Sequence, residues 1–373
     1  MSLLAGDDHR LLAVHAVDLV SAMAPSDLVL EAFRQEHPSL KEDSCADTTV
    51  AVQEIFGSMV NILYEDEMGP SKRYLQRLLL KFISVVVGED RTESEALMQL
   101  LLKRLSIRNS FPDANECCHV SFRIQRLRHE IPLRIRIFPQ HNDVALRMWE
   151  AGAVLSEFFV QCGGLLAGRK VVELGAGTAV TGLVAAGCCK ASHVHCTDFT
   201  QASLDNMKHN VAINEPWLRQ KRPKEEPQSV ISSGYLEWGE FGNGIDENLN
   251  PEAAVNPLLV PSADHLIQGD TLIAADVVYD KAILSPLVRT IWYFLTATTS
   301  SPHEKTAIFA TTIRNQSTFQ LFQEQLHSQG ISSQILLSRK ECGNLQLVFP
   351  MNFIQPRSDV VIYSLHLQRK PTK

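Results

Sequence analysis

The stretch Lys170-Val-Val-Glu-Leu-Gly-Ala-Gly-Thr-Ala-Val-Thr-Gly182 decides the fold of this chain. An apolar run leads into an acidic residue, Glu173, and then into a glycine-rich turn that precedes a helical pattern. Gly175 and Gly177 permit a sharp bend and a close approach to a ligand where any Cβ would collide, and the N–H groups that open the helix face that ligand. The stretch therefore predicts a strand, a turn and a helix that hold a nucleotide-like cofactor.

Two cofactor classes fit this turn, dinucleotides and S-adenosylmethionine. The dinucleotide fingerprint requires a small residue three places after the second glycine, but Val180 stands there and the next glycine is Gly182. A carboxylate at Glu173 can lie close to the cationic amino-acid end of S-adenosylmethionine. These two features favour S-adenosylmethionine, while a dinucleotide site and an ordinary structural turn stay open as alternatives.

From residue 171 onward, strand patterns alternate with helix patterns, which is typical of a parallel sheet with helices on both faces. We therefore predict an α/β fold with a Rossmann-like sheet of seven strands. The predicted strands cover residues 170–174, 193–197, 229–232, 271–276, 305–312, 332–337 and 360–367. Two segments, 215–228 and 243–269, are predicted to be inserted loops, either mobile surface or part of the site at the carboxyl edge of the sheet.

The first hundred residues have helical spacing of apolar side chains. The helical patterns cover residues 11–23, 28–33, 50–64 and 75–86, and Thr92 with Glu95 forms a capping-box pattern. We predict a helical domain over residues 1–108 and a second domain over residues 109–373. The helical domain is either a stabilising extension or a docking module for a macromolecular substrate, because patterning reports packing and not partners.

Between residues 120 and 138 the apolar period changes to two, which predicts a β-hairpin at the start of the second domain. Arg123, Arg134 and Arg136 alternate with its apolar residues and give the hairpin one basic face. This face either meets water or contacts an acidic partner.

Composition limits the class of protein. The formal net charge is −7 and the pI is about 6.0, which argues against general nucleic-acid binding. No apolar stretch reaches the roughly 18 residues that span a bilayer, and the first residues are acidic where an export signal is basic. The eight cysteines form no disulfide framework. We expect a cytoplasmic monomer that binds neither membranes nor nucleic acid directly.

Acidic and aromatic side chains follow two further strands. Asp198 ends the second strand, 23 residues after Gly175, where a carboxylate can accept the ribose hydroxyls of an adenosine cofactor; a helix cap is the alternative. Trp238 follows the third strand, where its ring either contacts the adenine or packs in the core.

Asp276-Val-Val-Tyr279 leaves the fourth strand and is predicted to carry the reaction, because open α/β sheets place reacting groups at strand ends. Trp149, before a helix, either walls the cofactor or packs against that helix. Ala176 and Ala275, which adjoin the turn and Asp276, complete the predicted cofactor contacts.

A zinc site is a further possibility for the histidines and cysteines between residues 188 and 196. These residues are Cys188, Cys189, His193, His195 and Cys196. Their spacing matches no usual set of zinc ligands, so we predict core packing and no metal.

Residues 146–367 resemble the family 16 methyltransferases, on the basis of Glu173-Leu-Gly-Ala-Gly-Thr178, Asp198, Trp238 and Asp276-Val-Val-Tyr279. The segments 274–279 and 312–322 and the helical extension are similar to the elongation factor 2 lysine methyltransferases. Ala179-Val180 departs from the usual Gly or Ser followed by an apolar residue.

The resemblance implies transfer of a methyl group from S-adenosylmethionine to a lysine of a protein, with elongation factor 2 as the expected substrate. It also implies that Asp276 orients the amine and receives or relays its proton, and that Tyr279 shapes a channel for the lysine. A methyltransferase of another protein, an RNA or a small molecule, and a silent module that keeps the fold, stay open as alternatives.

Overall fold

The computed structural model of the protein describes twelve stretches of the chain. They are residues 16–36, 46–87, 99–100, 103, 114–125, 129–162, 164–222, 230–239, 260–299, 301–351, 353 and 355–368. The predicted capping box at Thr92 and Glu95 lies outside them, as do residues 11–15 of the first helical pattern. The chain divides into two compact units, Met1–Asn142 with Val348–Asn352, and Asp143–Leu347 with Phe353–Lys373.

Helices form most of the first unit, as their apolar spacing predicts. Among the described residues they include α1 (Ser26–Glu36), α2 (Ala46–Glu65) and α3 (Lys72–Phe82), and residues 16–21 are helical as well. One phenylalanine from each helix meets at their centre: the rings of Phe56 and Phe82 stack at 3.7 Å, and Phe33 lies edge-on to both. Such aromatic packing stabilises the three helices against one another.

The predicted hairpin also belongs to the first unit. Strands β1 (Cys118–Phe122) and β2 (Leu133–Ile137) pair antiparallel, with Val120 opposite Ile135. Arg123 on the predicted basic face donates to Asp18 at 2.9 Å and to the Glu130 carbonyl at 2.8 Å. Both acceptors belong to the same unit. The boundary at residues 108/109 and the docking role of the helices stay predictions.

In the second unit, the described residues form one sheet of seven strands, which confirms the predicted fold class. The strands are β3 (Lys170–Leu174), β4 (His193–Asp198), β5 (Ile231–Tyr235), β6 (Thr271–Ala275), β7 (Thr306–Thr312), β8 (Ile331–Leu337) and β9 (Val360–Leu367). Their order is β5-β4-β3-β6-β7-β9-β8, with β9 antiparallel to both of its neighbours. All seven predicted strands are present.

Helices connect these strands. They are α4 (Glu150–Gln161), α5 (Val180–Cys188), α6 (Gln201–Ile213), α7 (Glu215–Lys221), α8 (Val260–Gln268), α9 (Leu284–Thr296), α10 (Gln316–Ser328) and α11 (Arg339–Gly343). The strand order reverses between β3 and β6, and right-handed connections then place helices on opposite faces of the sheet. This reversal opens a crevice at the carboxyl ends of β3 and β6. Within the described residues, no helix has the length and apolar character needed to cross a bilayer.

The two predicted insertions are wrong in part, because each contains a helix. Helix α7 begins with Glu215 and Pro216 and ends with basic residues, an arrangement that favours helix formation, and it buries Trp217 and Leu218. Residues 260–268 form α8. The remainder of these segments, 223–229 and 243–259, lies outside the described residues.

Helix α5 packs closely against α7 at a small residue, Gly187. Gly187 faces the buried indole of Trp217, and a Cβ at Gly187 would lie 2.4 Å from two carbons of that ring. No real Cβ approaches so closely, so the contact between α5 and α7 requires glycine here.

We expect Gly187→Ala to lower the free energy of unfolding by about 1 to 3 kcal/mol, the usual effect of overpacking a core, despite the better helix propensity of alanine. Urea unfolding followed by tryptophan fluorescence measures this. Gly164→Ala is the matched control, because nothing lies within 4 Å of its added Cβ. Equal urea midpoints for the two variants would contradict the packing argument.

Candidate active site

The turn after β3 holds the backbone in a conformation that favours glycine. Gly175 and Gly177 have φ angles of +59° and +53°. A Cβ at Gly177 would lie 2.8 Å from the Ala145 carbonyl oxygen. The Ala176 N–H donates to the Thr197 carbonyl of β4 at 2.9 Å, which anchors the turn to the neighbouring strand. The glycines therefore allow the turn to lie close to the segment before α4.

Asp198 lies against this turn at the end of β4. One carboxylate oxygen accepts the N–H of Gly177 at 2.9 Å and the other accepts the N–H of Phe199 at 2.8 Å. Burial raises the pKa of Asp198, and these backbone hydrogen bonds act in the opposite direction. The helix-cap alternative is not needed at α6, because the Thr200 side chain caps it. Ribose binding by Asp198 stays a prediction.

Glu173 is buried beneath the turn. Its Oε2 accepts the N–H of Gly182 at 2.9 Å and the thiol of Cys196 at 3.4 Å. Burial raises the pKa of Glu173 to about 7, more than these hydrogen bonds lower it. Its carboxylate is thus poorly solvated, and a nearby cation would stabilise the ionised form.

Asp276 follows β6 in a left-handed backbone conformation, with φ of +54°. Its carboxylate accepts the N–H and the hydroxyl of Thr312 at 2.9 and 3.0 Å, and the N–H of Ala151 at 3.4 Å. Arg314 also donates to both carboxylate oxygens. These donors come from two other segments, so the position of the carboxylate is fixed from several sides.

One cavity of about 310 Å³ lies at this edge of the sheet, a volume at the lower end of small-molecule pockets. All ten residues that the sequence predicts for the site line this cavity. They are Trp149, Glu173, Gly175, Ala176, Gly177, Asp198, Trp238, Ala275, Asp276 and Tyr279. The structure thus brings the predicted residues together, although their individual roles stay predictions.

The two tryptophans take part in packing as well as in the cavity wall. Trp149 donates its indole N–H to the Val144 carbonyl at 2.8 Å, and Arg314 lies over its ring. Trp238 packs against the core of the sheet, and a Cβ at Gly175 would come within 3.2 Å of its ring. Each tryptophan therefore packs against its neighbours and also lines the cavity, so the two predicted roles do not exclude each other.

Sequence reasoning missed three further residues. Phe199 lines the cavity with 60% of its surface exposed, at the position directly after Asp198. The buried Glu150 forms an ion pair with the partly exposed Arg314, which also contacts Asp276. Arg314 belongs to the segment 312–322, one of those similar to the elongation factor 2 lysine methyltransferases.

The cavity lining carries mostly negative charge. Among the described residues that line it, five are carboxylates and one is a cation, Arg147. The carboxylates are Asp143, Glu173, Asp198, Glu237 and Asp276. This lining disfavours the pyrophosphate of a dinucleotide and fits a cofactor with a sulfonium and an ammonium group. The residues present therefore fit S-adenosylmethionine.

Three histidines lie together near the other end of β4. The rings of His195 and His265 stack at 4.0 Å with an interplanar angle of 21°, and His193 lies beside them. Burial lowers the pKa of His195 to about 3, and Ser232 hydrogen-bonds to both His193 and His195. Burial also lowers the pKa of His193, so His193 and His195 are neutral near pH 7, and a nitrogen of each of the three rings lies within 4.8 Å of the others. The absence of a metal stays a prediction.

Comparison with known proteins identifies the family. The sequence profile of a family described as lysine methyltransferases matches residues 129–328. A Dictyostelium discoideum protein is 23% identical over 81% of this chain and 83% of its own length. The mouse protein-lysine N-methyltransferase EEF2KMT is 25% identical over 70% of this chain and 71% of its own. The Chaetomium thermophilum protein-lysine N-methyltransferase EFM3 is 24% identical over 70% and 75%.

Among solved structures, the methyltransferase domain of bacterial CtHen1-C is 12% identical and covers 59% of this chain and 100% of its own, with a TM-score of 0.36. The matched profile covers more than half of the chain and includes the glycine turn, Asp198 and Asp276. The chain therefore belongs to the lysine methyltransferase family and is a methyltransferase with S-adenosylmethionine as its methyl donor.

Proposed function

We propose that this enzyme is a protein-lysine N-methyltransferase and that elongation factor 2 is its substrate. The observation that carries the proposal is the fixed carboxylate of Asp276 in an acidic cavity, with the exposed aromatic side chain of Tyr279 three residues later. A carboxylate beside an aromatic ring suits an amine on a long apolar stem.

S-adenosylmethionine, when bound, supplies a methyl group that its positively charged sulfonium makes electrophilic. Glu173 and Asp198 are the carboxylates that would hold it, together with the turn at Gly175 and Gly177. Trp149 and Trp238 would wall the same cavity. The protein's remaining task is to present a neutral amine in line with that methyl group.

A free lysine has a pKa of about 10.4, so neutral amine at pH 7 costs roughly 4 to 5 kcal/mol, from about 3.4 pKa units at 1.36 kcal/mol each. Asp276 does not lower this cost, because a nearby carboxylate favours the charged amine; it acts once the amine has lost its proton to water. It accepts a hydrogen bond from the amine, which orients the nitrogen, and it stabilises the positive charge that develops there. Because the carboxylate already accepts hydrogen bonds from Thr312, Ala151 and Arg314, we assign it orientation and charge stabilisation, and water takes the proton.

Two exposed aromatic side chains, Tyr279 and Phe199, line the same cavity and would contact the lysine stem. Partial burial raises the pKa of Tyr279, and the nearby Asp198, Asp280 and Asp143 raise it further. The phenol thus keeps its proton near pH 7. The same carboxylates attract a cationic side chain and repel the phosphates of RNA.

The relatives named protein-lysine N-methyltransferase support a protein substrate. The resemblance to the elongation factor 2 branch supports that factor as the substrate. An elongation factor substrate places the enzyme in the cytoplasm, where we expect a monomer. RNA and small-molecule substrates and a silent module remain the competing functions.

The test combines the enzyme and tritiated S-adenosylmethionine with purified elongation factor 2 and, in a separate reaction, with a whole-cell lysate, followed by mass spectrometry of the labelled product. We expect label on a single lysine side chain of the factor. Label on RNA or on small molecules alone would overturn the protein substrate. Label on another lysate protein would replace elongation factor 2, and binding without any transfer would support the silent module.

We expect Asp276→Asn to lower kcat by at least about 100-fold, the lower range for a positioned polar group, because asparagine keeps the left-handed backbone but loses the charge. The dissociation constant for S-adenosylmethionine should stay within about threefold of wild type. Asp264→Asn, which removes an exposed carboxylate of α8 outside the cavity lining, is the control. Equal losses in binding and turnover would assign Asp276 to cofactor support.

Asp198→Ala should weaken S-adenosylmethionine binding in calorimetry by about 1 to 3 kcal/mol, because it removes the acceptor for the cofactor and loosens the turn at Gly177. Gly177→Arg should abolish binding, because its side chain enters the cavity. Asp205→Ala removes an exposed carboxylate of α6 and should change nothing. Normal binding by a folded Asp198→Ala protein would exclude this carboxylate from the cofactor site.

The raised pKa of Glu173 predicts a pH-dependent stability of the cofactor-free enzyme. The folded protein keeps a proton on Glu173 up to about pH 7, whereas the unfolded chain releases it near its ordinary pKa of 4.5. The stabilisation is therefore complete below about pH 4.5 and is lost as the pH rises through 7. Glu173→Gln does not titrate, so its Tm relative to wild type should rise by at least about 2 °C between pH 5 and pH 8. A constant difference across this range would show that Glu173 titrates normally.

A further inference from the structure

Arg314, on the loop after β7, lies between two buried carboxylates from different parts of the chain. Its Nη2 donates to Glu150 Oε2 at 2.9 Å and to Asp276 Oδ2 at 3.2 Å, and its Nη1 donates to Asp276 Oδ1 at 3.3 Å. The guanidinium thus binds Asp276 through both oxygens. Glu150 accepts from Nη2, the nitrogen that also donates to Asp276 Oδ2.

The burial of both carboxylates favours a cation between them. The side chains of Glu150 and Asp276 are 1% and 6% exposed, and that of Arg314 is 31% exposed. Two carboxylates in poor contact with water would repel each other without a cation between them. The other oxygen of Glu150 accepts the backbone N–H of Gln355 at 2.6 Å, so Glu150 itself is anchored to the chain.

Arg314 also supports the cavity wall. Its guanidinium carbon lies 5.2 Å from the centre of the Trp149 ring, and Trp149 lines the cavity. Arg314 itself is not among the described residues that line this cavity. Any influence of Arg314 on the reaction therefore passes through Asp276 and Trp149.

We propose that Arg314 is a positioning residue: anchored by Glu150, it fixes the carboxylate of Asp276 in the orientation that the substrate amine requires. This inference rests on the proposed function and adds the group that sets the geometry of Asp276. The planar fork of arginine specifies the positions of both carboxylate oxygens, whereas a lysine ammonium supplies charge without that orientation.

The central variant is therefore Arg314→Lys, which keeps the positive charge between the two carboxylates and preserves folding. We expect kcat for the methylation of elongation factor 2 to fall about 10- to 100-fold, since small errors in alignment have effects of this size. The KM for the factor and the dissociation constant for S-adenosylmethionine should stay within about threefold. Arg314→Ala should lose more activity and also lower the Tm.

Arg339→Ala is the matched control, because it removes another arginine of the same unit that pairs with a carboxylate, Asp359, outside the cavity lining. Its kcat should equal that of wild type. A double-mutant cycle then tests the route of action. In the background of Asp276→Asn, Arg314→Lys should cause less than about a threefold further loss, because the two residues act as one unit.

Two results would overturn the inference. Full kcat in Arg314→Lys would remove the positioning role while leaving the proposed function intact, and so would a loss that multiplies fully with that of Asp276→Asn. Absence of methyl transfer to any protein by the wild-type enzyme would instead overturn the proposed function, and the role of Arg314 would fall with it.

Discussion

The hydrogen bond from the Gly177 N–H to the Asp198 carboxylate joins the ends of two strands, and the cavity depends on it. It holds the turn after β3 against the end of β4, where Ala176 also donates to the Thr197 carbonyl. Gly175 and Gly177, on either side of Ala176, both have left-handed φ angles, a conformation that glycine adopts without strain. The part of the cavity formed by the turn after β3 and the end of β4 is therefore shaped by the backbone. The buried carboxylate of Asp198 accepts a hydrogen bond from that backbone.

Most of the cavity residues at the strand ends could be predicted from the sequence. Apolar runs of strand length located the seven strands, and parallel topology requires the ends of neighbouring strands to meet at one edge. For that reason Glu173, Asp198, Trp238 and Asp276, which are far apart in the chain, line one cavity. Each of them lies within three residues of a strand end, a position that local patterning identifies well.

The surroundings of Asp276 could not be predicted, because they depend on contacts between segments that are distant in the sequence. Glu150 and Arg314 are 164 residues apart and neither stands out locally. A charged residue in a loop has the same local pattern whether water or a buried carboxylate receives it. Helix α7 was missed for a related reason: the proline and charges of residues 215–221 fit a loop as well as a helix that has proline in its first turn, and the long-range burial of Trp217 decides between them.

The left-handed backbone at Asp276 also explains the choice of acid at this position. Aspartate and asparagine enter that region of φ more readily than other side chains with a Cβ, and of the two only aspartate carries a charge. Glutamate has the same functional group but would strain the backbone and extend its carboxylate beyond Thr312. Backbone conformation and the donors around the carboxylate together thus favour aspartate here. Under the proposed function, the side chain at this position would separate chains able to orient an amine from chains that share the fold without this carboxylate.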